Sequence, residues 1–253
     1  MRKLLSALAL LFCAPFASAT WTLTQVKDNA ACSTPCAVTV TSTGSGHLLV
    51  ASFLDSHVSI TITSVTAAAC TGSWTHAANS ASSGTGDGSS DIFYCLNSAS
   101  GQTSISITMT GTNACAAASC AGIIWEASSS LGNIAVDAGA TPSSNRSDAA
   151  CTSCTGVALT LSGNNDFIAA TAPCGDTCTG LTGTGWTNDL SNPGSDGVGH
   201  GITSGSQNAP ATWTQSSSAT LVCSAAAFQE TASGGAAAGF SKRKKLAKLD
   251  PTT

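Results

Sequence analysis

Along much of this chain, apolar and polar residues alternate with a period of two. Val58, Ile60 and Ile62 alternate with Ser59, Thr61 and Thr63, and Ile105, Ile107 and Met109 alternate with Ser104, Ser106 and Thr108. Successive side chains on a strand point to opposite faces. The pattern therefore predicts strands with one buried face and one Ser/Thr face. Further strands are expected at 21–26, 37–42, 47–54, 90–97, 121–127, 133–138, 156–161, 166–172, 197–203, 211–215 and 219–229, punctuated by Gly, Asn, Asp and Ser clusters. After the first residues, no stretch carries the 3.6-residue period of an amphipathic helix. A dozen or more short strands predict an all-β fold, a two-sheet antiparallel sandwich.

The chain also resembles itself. SGHLLVA (45–51) has a counterpart in NNDFIAA (164–170), and GSWTHA (72–77) in GTGWTND (183–189), which sets Trp74 against Trp186. DIFYCLNSASG (91–101) answers DGVGHGITSG (196–205). CAGIIWE (120–126) answers CSAAAFQ (223–229), which sets Cys120 against Cys223 and Trp125 against Phe228. Four anchors in one order predict two pseudo-repeated halves, roughly 37–128 and 156–230. The first half has too few large apolar residues for a core of its own, so one domain over 20–230 is expected.

The succession of an LLVA strand, a GxxWT segment, DIFYCLNSASG, TSISITMTG, WEAS and a second round ending in AAAF resembles bacterial secreted β-sandwich modules. Those modules are similar to concanavalin-A-like jelly rolls. The resemblance covers residues 20 to 230 and implies a jelly-roll-like fold in a surface, adhesin-like or phage-associated setting. Its motifs are structural, not catalytic. The chain departs from them in its cysteine load and in Ala-Ser-Ser after Glu126.

Composition narrows the setting. Of 253 residues only 9% are charged and 42% are hydrophobic, which excludes a highly charged disordered chain. Residues 1–19 read as a secretory signal peptide: Arg2 and Lys3, an apolar run from Leu4 to Ala14, then Ala17-Ser18-Ala19. The run is too short to span a bilayer. Residues 231–253 read as a Gly/Ala linker and a basic tail with Lys242, Arg243, Lys244, Lys245 and Lys248. Between residues 20 and 241 the only bases are Lys27 and Arg146, against twelve acids. This acidic body argues against nucleic acid as its partner, while the tail suits anionic polymers. Secretion or the cell surface is expected, with the periplasm as the alternative.

Cysteine spacing fits an oxidising compartment. The expected bridges are Cys32–Cys36, Cys115–Cys120, Cys151–Cys154 and Cys174–Cys178 as loop staples, with Cys70–Cys95 as a longer link and Cys223 left over. The competing readings are a zinc site of Cys151, Cys154, Cys174 and Cys178 and a redox CxxC at Cys151 and Cys154.

Chemistry is sparse. The sequence carries no G-x-S-x-G elbow, HExxH or Walker A loop. Asp91, Glu126, Asp137, Asp189, Asp196 and Glu230 are scattered, without the close carboxylate pairing of a glycosidase motif. Glu126, closing the apolar run IIW, either orients a loop or binds a cation. Trp74, Trp186, Asn188 and Asp189 are the candidate sugar contacts, with core packing of the tryptophans as the alternative. Asp87, Ser89 and Asp91 form the candidate calcium site, and a plain Gly-rich loop is its alternative. No other cofactor is implied. The expected function is non-catalytic adhesion or carbohydrate binding, with glycans or cell-surface polymers as partners. A structural surface component is second, and a glycan-acting hydrolase third.

Overall fold

A computed structural model describes residues 20–30, 32–55, 60–81, 88–111, 120–137, 143–162, 165–191, 196–203 and 211–231. The described residues form fifteen strands and one short 3-10 turn, Ala67–Ala69. The first sheet runs β1 (Trp21–Asn29), β8 (Cys120–Ser129), β3 (Leu48–Asp55), β6 (Ser89–Cys95), β5 (Thr75–Ala81). The second follows β10 (Ser143–Thr155), β15 (Thr212–Glu230), β11 (Asp166–Ala172), β14 (Gly197–Ile202), β13 (Trp186–Ser191). There β12 (Cys178–Thr182) and β9 (Ile134–Val136) also pair with β15. A third sheet holds β2 (Cys36–Thr39), β7 (Ser104–Gly111) and β4 (Ile60–Val65). The pairings are antiparallel.

Hydrophobic pattern decides the layers. All eight residues of β3 are buried, because both of its faces are covered. Leu49, Ala51 and Phe53 pack with Val38, Ile62, Ile105 and Ile107 of the three-stranded sheet. Leu48, Val50 and Leu54 point the other way, with Ile123 and Trp125, onto Phe167, Ala169, Val198 and Phe228 of the second sheet. On that sheet's far face, Ile168, Ala170, Ala225 and Ala227 meet Val157, Leu159, Leu161 and Trp213. The two large sheets thus lie face to face, each with a further cover. The alternating strands β4 and β7 belong to such a cover, which the expectation of two sheets had not separated from the centre.

Glycine sets the close approaches. A Cβ on Gly122 would lie 2.5 Å from the Cys36 sulfur, and one on Gly197 would lie 2.4 Å from the Trp213 ring. These positions let β8 and β14 press against neighbouring layers.

Polar edge strands were not foreseen. β5, β10, β12 and β13 are rich in Thr, Ser and Asn and carry little apolar alternation. Conversely, residues 156–161 alternate and bury Val157, Leu159 and Leu161, yet form no named strand. The two strands expected at 211–215 and 219–229 are one, β15.

Bridges Cys32–Cys36, Cys70–Cys95, Cys151–Cys154 and Cys174–Cys178 are formed. Cys120 is also disulfide-bonded, and Cys115 lies outside the described residues. Cys223 is buried and belongs to none of these four bridges. One staple differs in place: Cys151 and Cys154 both sit within β10, where its register with β15 shifts, and do not flank a loop. Among the described residues, no helix is long and apolar enough to cross a membrane.

Candidate functional site

Three of the four histidines meet a buried carboxylate; His57 lies outside the described residues. At the start of β3, His47 Nδ1 is 2.7 Å from Glu126 Oε1. Glu126, on β8, is fully buried. Its Oε1 also accepts the Gly44 backbone N–H at 2.7 Å, and its Oε2 accepts Gln25 Nε2 at 2.6 Å. Gln25 in turn clasps both backbone groups of Thr41 at 2.8 Å. Of the two expectations for Glu126, these contacts are those of loop orientation: it fixes the 41–47 segment against β1 and β8.

On β6, Asp91 is shared between two layers. Its Oδ1 lies 2.6 Å from His76 Nε2 of β5, and its Oδ2 accepts the Ile62 backbone N–H of β4 at 2.8 Å. On β13, Asp189 crosses between the large sheets. Its Oδ1 is 2.5 Å from His200 Nδ1, and its Oδ2 accepts the Trp125 indole N–H of the first sheet at 2.8 Å. The His200 ring stacks on Phe167 with centroids 5.7 Å apart. In all three places a histidine and backbone or side-chain donors hold a carboxylate as part of the packing.

Two other buried carboxylates are held less well. Burial pushes Asp196 up to about 8, with Asp55 adding to the rise and the Cys174 N–H opposing it. Burial pushes Asp166 up to about 7, and the charge of Asp137 adds to it. Asp137 accepts the Ser162 backbone N–H at 2.7 Å and the Ser162 hydroxyl. Both oxygens of Asp166 are shut from solvent and receive no hydrogen bond. On the surface, by contrast, hydroxyls of Ser217 and Ser216 and the Thr177 N–H hold Asp176 below the usual carboxylate range.

The residues expected as sugar contacts do not all gather in one place: Trp186, Asn188 and Asp189 share β13, and Trp74 lies apart. Trp74 is half-buried against the layer beneath the three-stranded sheet, its indole N–H donating to Thr66 O at 3.0 Å. Trp186 is half-buried on the opposite side of the molecule, against the far face of the second sheet. Asn188 is exposed on β13. Asp189 turns inward to His200 and Trp125. Of the expected calcium ligands, Ser89 and Asp91 are buried in β6, with both Asp91 oxygens engaged. Asp87 lies outside the described residues. Trp21, Trp125 and Trp213 are core residues.

Sequence reasoning named Asp137 only as a scattered carboxylate and missed Asp166 and their proximity. Each sits beside a polar turn, where Asp is ordinary. Only the fold, which lays both against one face of the second sheet, makes them unusual. Compared with known proteins, the chain matches no family model, no curated protein and no solved structure.

Proposed function

We propose that this chain is a secreted or cell-surface β-protein without catalytic activity, and that it binds carbohydrate in an adhesive role. The carrying observation is the edge strand β13. Trp186 and Asn188 are two residues apart, so they share one face of that strand. Trp186 is half-buried, and its ring lies by Gly201 of β14, where even a Cβ would sit 3.5 Å away. Asn188 is exposed, with amide donors and acceptors of the kind sugar hydroxyls use. Thr187 beside it is exposed as well.

Two further features favour this setting over catalysis. The bridges suit an oxidising compartment, and the leader-like residues 1–19 suit export. The sequence also carries no G-x-S-x-G elbow, HExxH or Walker A loop. Kinship with the concanavalin-A-like modules is part of the same proposal and rests on the motifs already described.

A glycan array probed with the mature, oxidised protein tests the reading. Binding to a defined glycan set is expected, with Trp186→Ala lowering the signal at least tenfold and Trp74→Ala leaving that contact in place. Silence across the array, with self-association in solution, would overturn it in favour of a structural surface component.

A further inference from the structure

We propose that Asp137, Ser162, Asp166 and Gln229 form a binding site for a hard divalent cation, calcium. The proposal stands apart from the carbohydrate reading and from the Asp87, Ser89 and Asp91 segment.

Its first support is an unanswered charge. Asp166, the first residue of β11, is fully buried, and neither carboxylate oxygen has a hydrogen-bond partner. A buried carboxylate without donors is among the costlier arrangements a fold can hold. A second carboxylate, Asp137, is brought to the same corner by its backbone N–H bond to Ala227 O, since Ala227 pairs with Ile168 two residues from Asp166. Two carboxylates brought to one buried corner favour a cation there.

The second support is the donor set. Gln229 of β15 stands directly opposite Asp166 in the ladder, and the Asp137 backbone N–H bonds to Ala227 O two residues away. Ser162 holds Asp137 by its N–H and its hydroxyl, which orients that carboxylate. Carboxylate, amide and hydroxyl oxygens make up the set, without histidine or thiolate. Calcium takes six to eight such oxygens in irregular geometry, whereas zinc prefers nitrogen and sulfur.

The third support is the matching corner of the first sheet. Where the two halves of the sequence are aligned, His47 stands against Asp166 and Glu126 against Gln229. In the first corner the carboxylate on β8 faces a histidine and two further N–H donors. In the second, the carboxylate stands on the other strand, and among the described residues no donor reaches it. Among the described residues, the backbones of Lys27 and Arg146 lie elsewhere. Lys27 is on β1 of the other sheet. Arg146 pairs with Val222, seven residues from Gln229 along β15, on the order of 23 Å at strand rise.

The test uses the mature, oxidised protein stripped with EDTA. Calcium chloride is titrated by calorimetry, and the unfolding temperature is followed at pH 7.5. Saturable binding of one calcium per chain is expected, with a rise in Tm of several degrees. Asp166→Asn is expected to weaken binding at least tenfold and to abolish the Tm rise, and Asp137→Asn to weaken binding in the same direction. Asp87→Asn is expected to leave both unchanged. A wild-type protein that shows no saturable binding and no Tm rise would overturn the proposal. So would a response that Asp166→Asn retains or Asp87→Asn removes. An equal response to magnesium would overturn the assignment to calcium.

Discussion

The central five strands of the two large sheets are ordered alike in the sequence. β1-β8-β3-β6-β5 in one corresponds, place by place, to β10-β15-β11-β14-β13 in the other. Their buried carboxylates are nevertheless treated differently. Glu126 in the first sheet is gripped by His47, Gln25 and the Gly44 backbone. Asp166, at the corresponding end of the second sheet, is gripped by nothing. One strand order therefore fixes where a side chain sits, while the residue placed there decides whether burial stabilises or costs. The first corner uses its carboxylate to tie a loop to the sheet. The second keeps a charge that the chain itself does not answer.

Removing each partner sharpens that contrast. Glu126→Leu leaves three buried or half-buried donors without an acceptor. It is expected to lower stability by about 3–5 kcal/mol, read as a fall in the urea midpoint with an unchanged slope.

The pH dependence comes next in size. Asp166 and Asp196 are both raised by burial, to about 7 and about 8. Each binds its proton more tightly folded than unfolded, so the stabilisation is complete below the unfolded value near 4. It is lost as pH rises through the folded values. Calcium-free stability is therefore expected to fall steadily between about pH 4 and pH 8. Urea melts across that range check it, and a stability that rose toward pH 8 would be inconsistent with two uncompensated carboxyls.

Trp125→Phe has the smallest expected effect. It removes the indole N–H from Asp189 while His200 still holds the other oxygen. A loss of about 2 kcal/mol is expected, the range of a hydrogen bond to a charged group. Chemical denaturation of the variant measures it. A much larger loss would mean that this one contact carries the joint between the sheets.

How much of this is legible in the sequence follows from side-chain chemistry. The strands buried on both faces announce themselves as apolar runs, as in LLVASFLD and CAGIIWE. The cover strands announce themselves by alternation, as in SISITMTG. The four aligned anchors fall on β3 and β11, β5 and β13, β6 and β14, β8 and β15. Edge strands such as THAANSA and WTNDLS are hard to read, because exposure lets Thr, Asn and Ser occupy them and erases the period. Glu126 could be singled out, since an acid that ends an apolar run needs a reason. Asp166 could not, because NNDFIAA looks like a turn followed by a strand. Its burial without a donor arises from the fold, which sequence spacing does not reveal. The inward turn of Asp189 is hidden for the same reason, since its neighbour Asn188 is equally polar yet exposed.

The central claim is that the Asp166 corner holds an unanswered charge where the Glu126 corner holds an answered one. The stability difference between Asp166→Asn and the wild type, measured by urea unfolding in EDTA at pH 5 and pH 8.5, tests it most directly. At pH 5, where the buried carboxyl is protonated, the account predicts a small difference. At pH 8.5 it predicts that the variant is the more stable, by on the order of 2 kcal/mol. A variant equally destabilised at both pH values would contradict it, since Asp166 would then be making a favourable contact that does not depend on its charge.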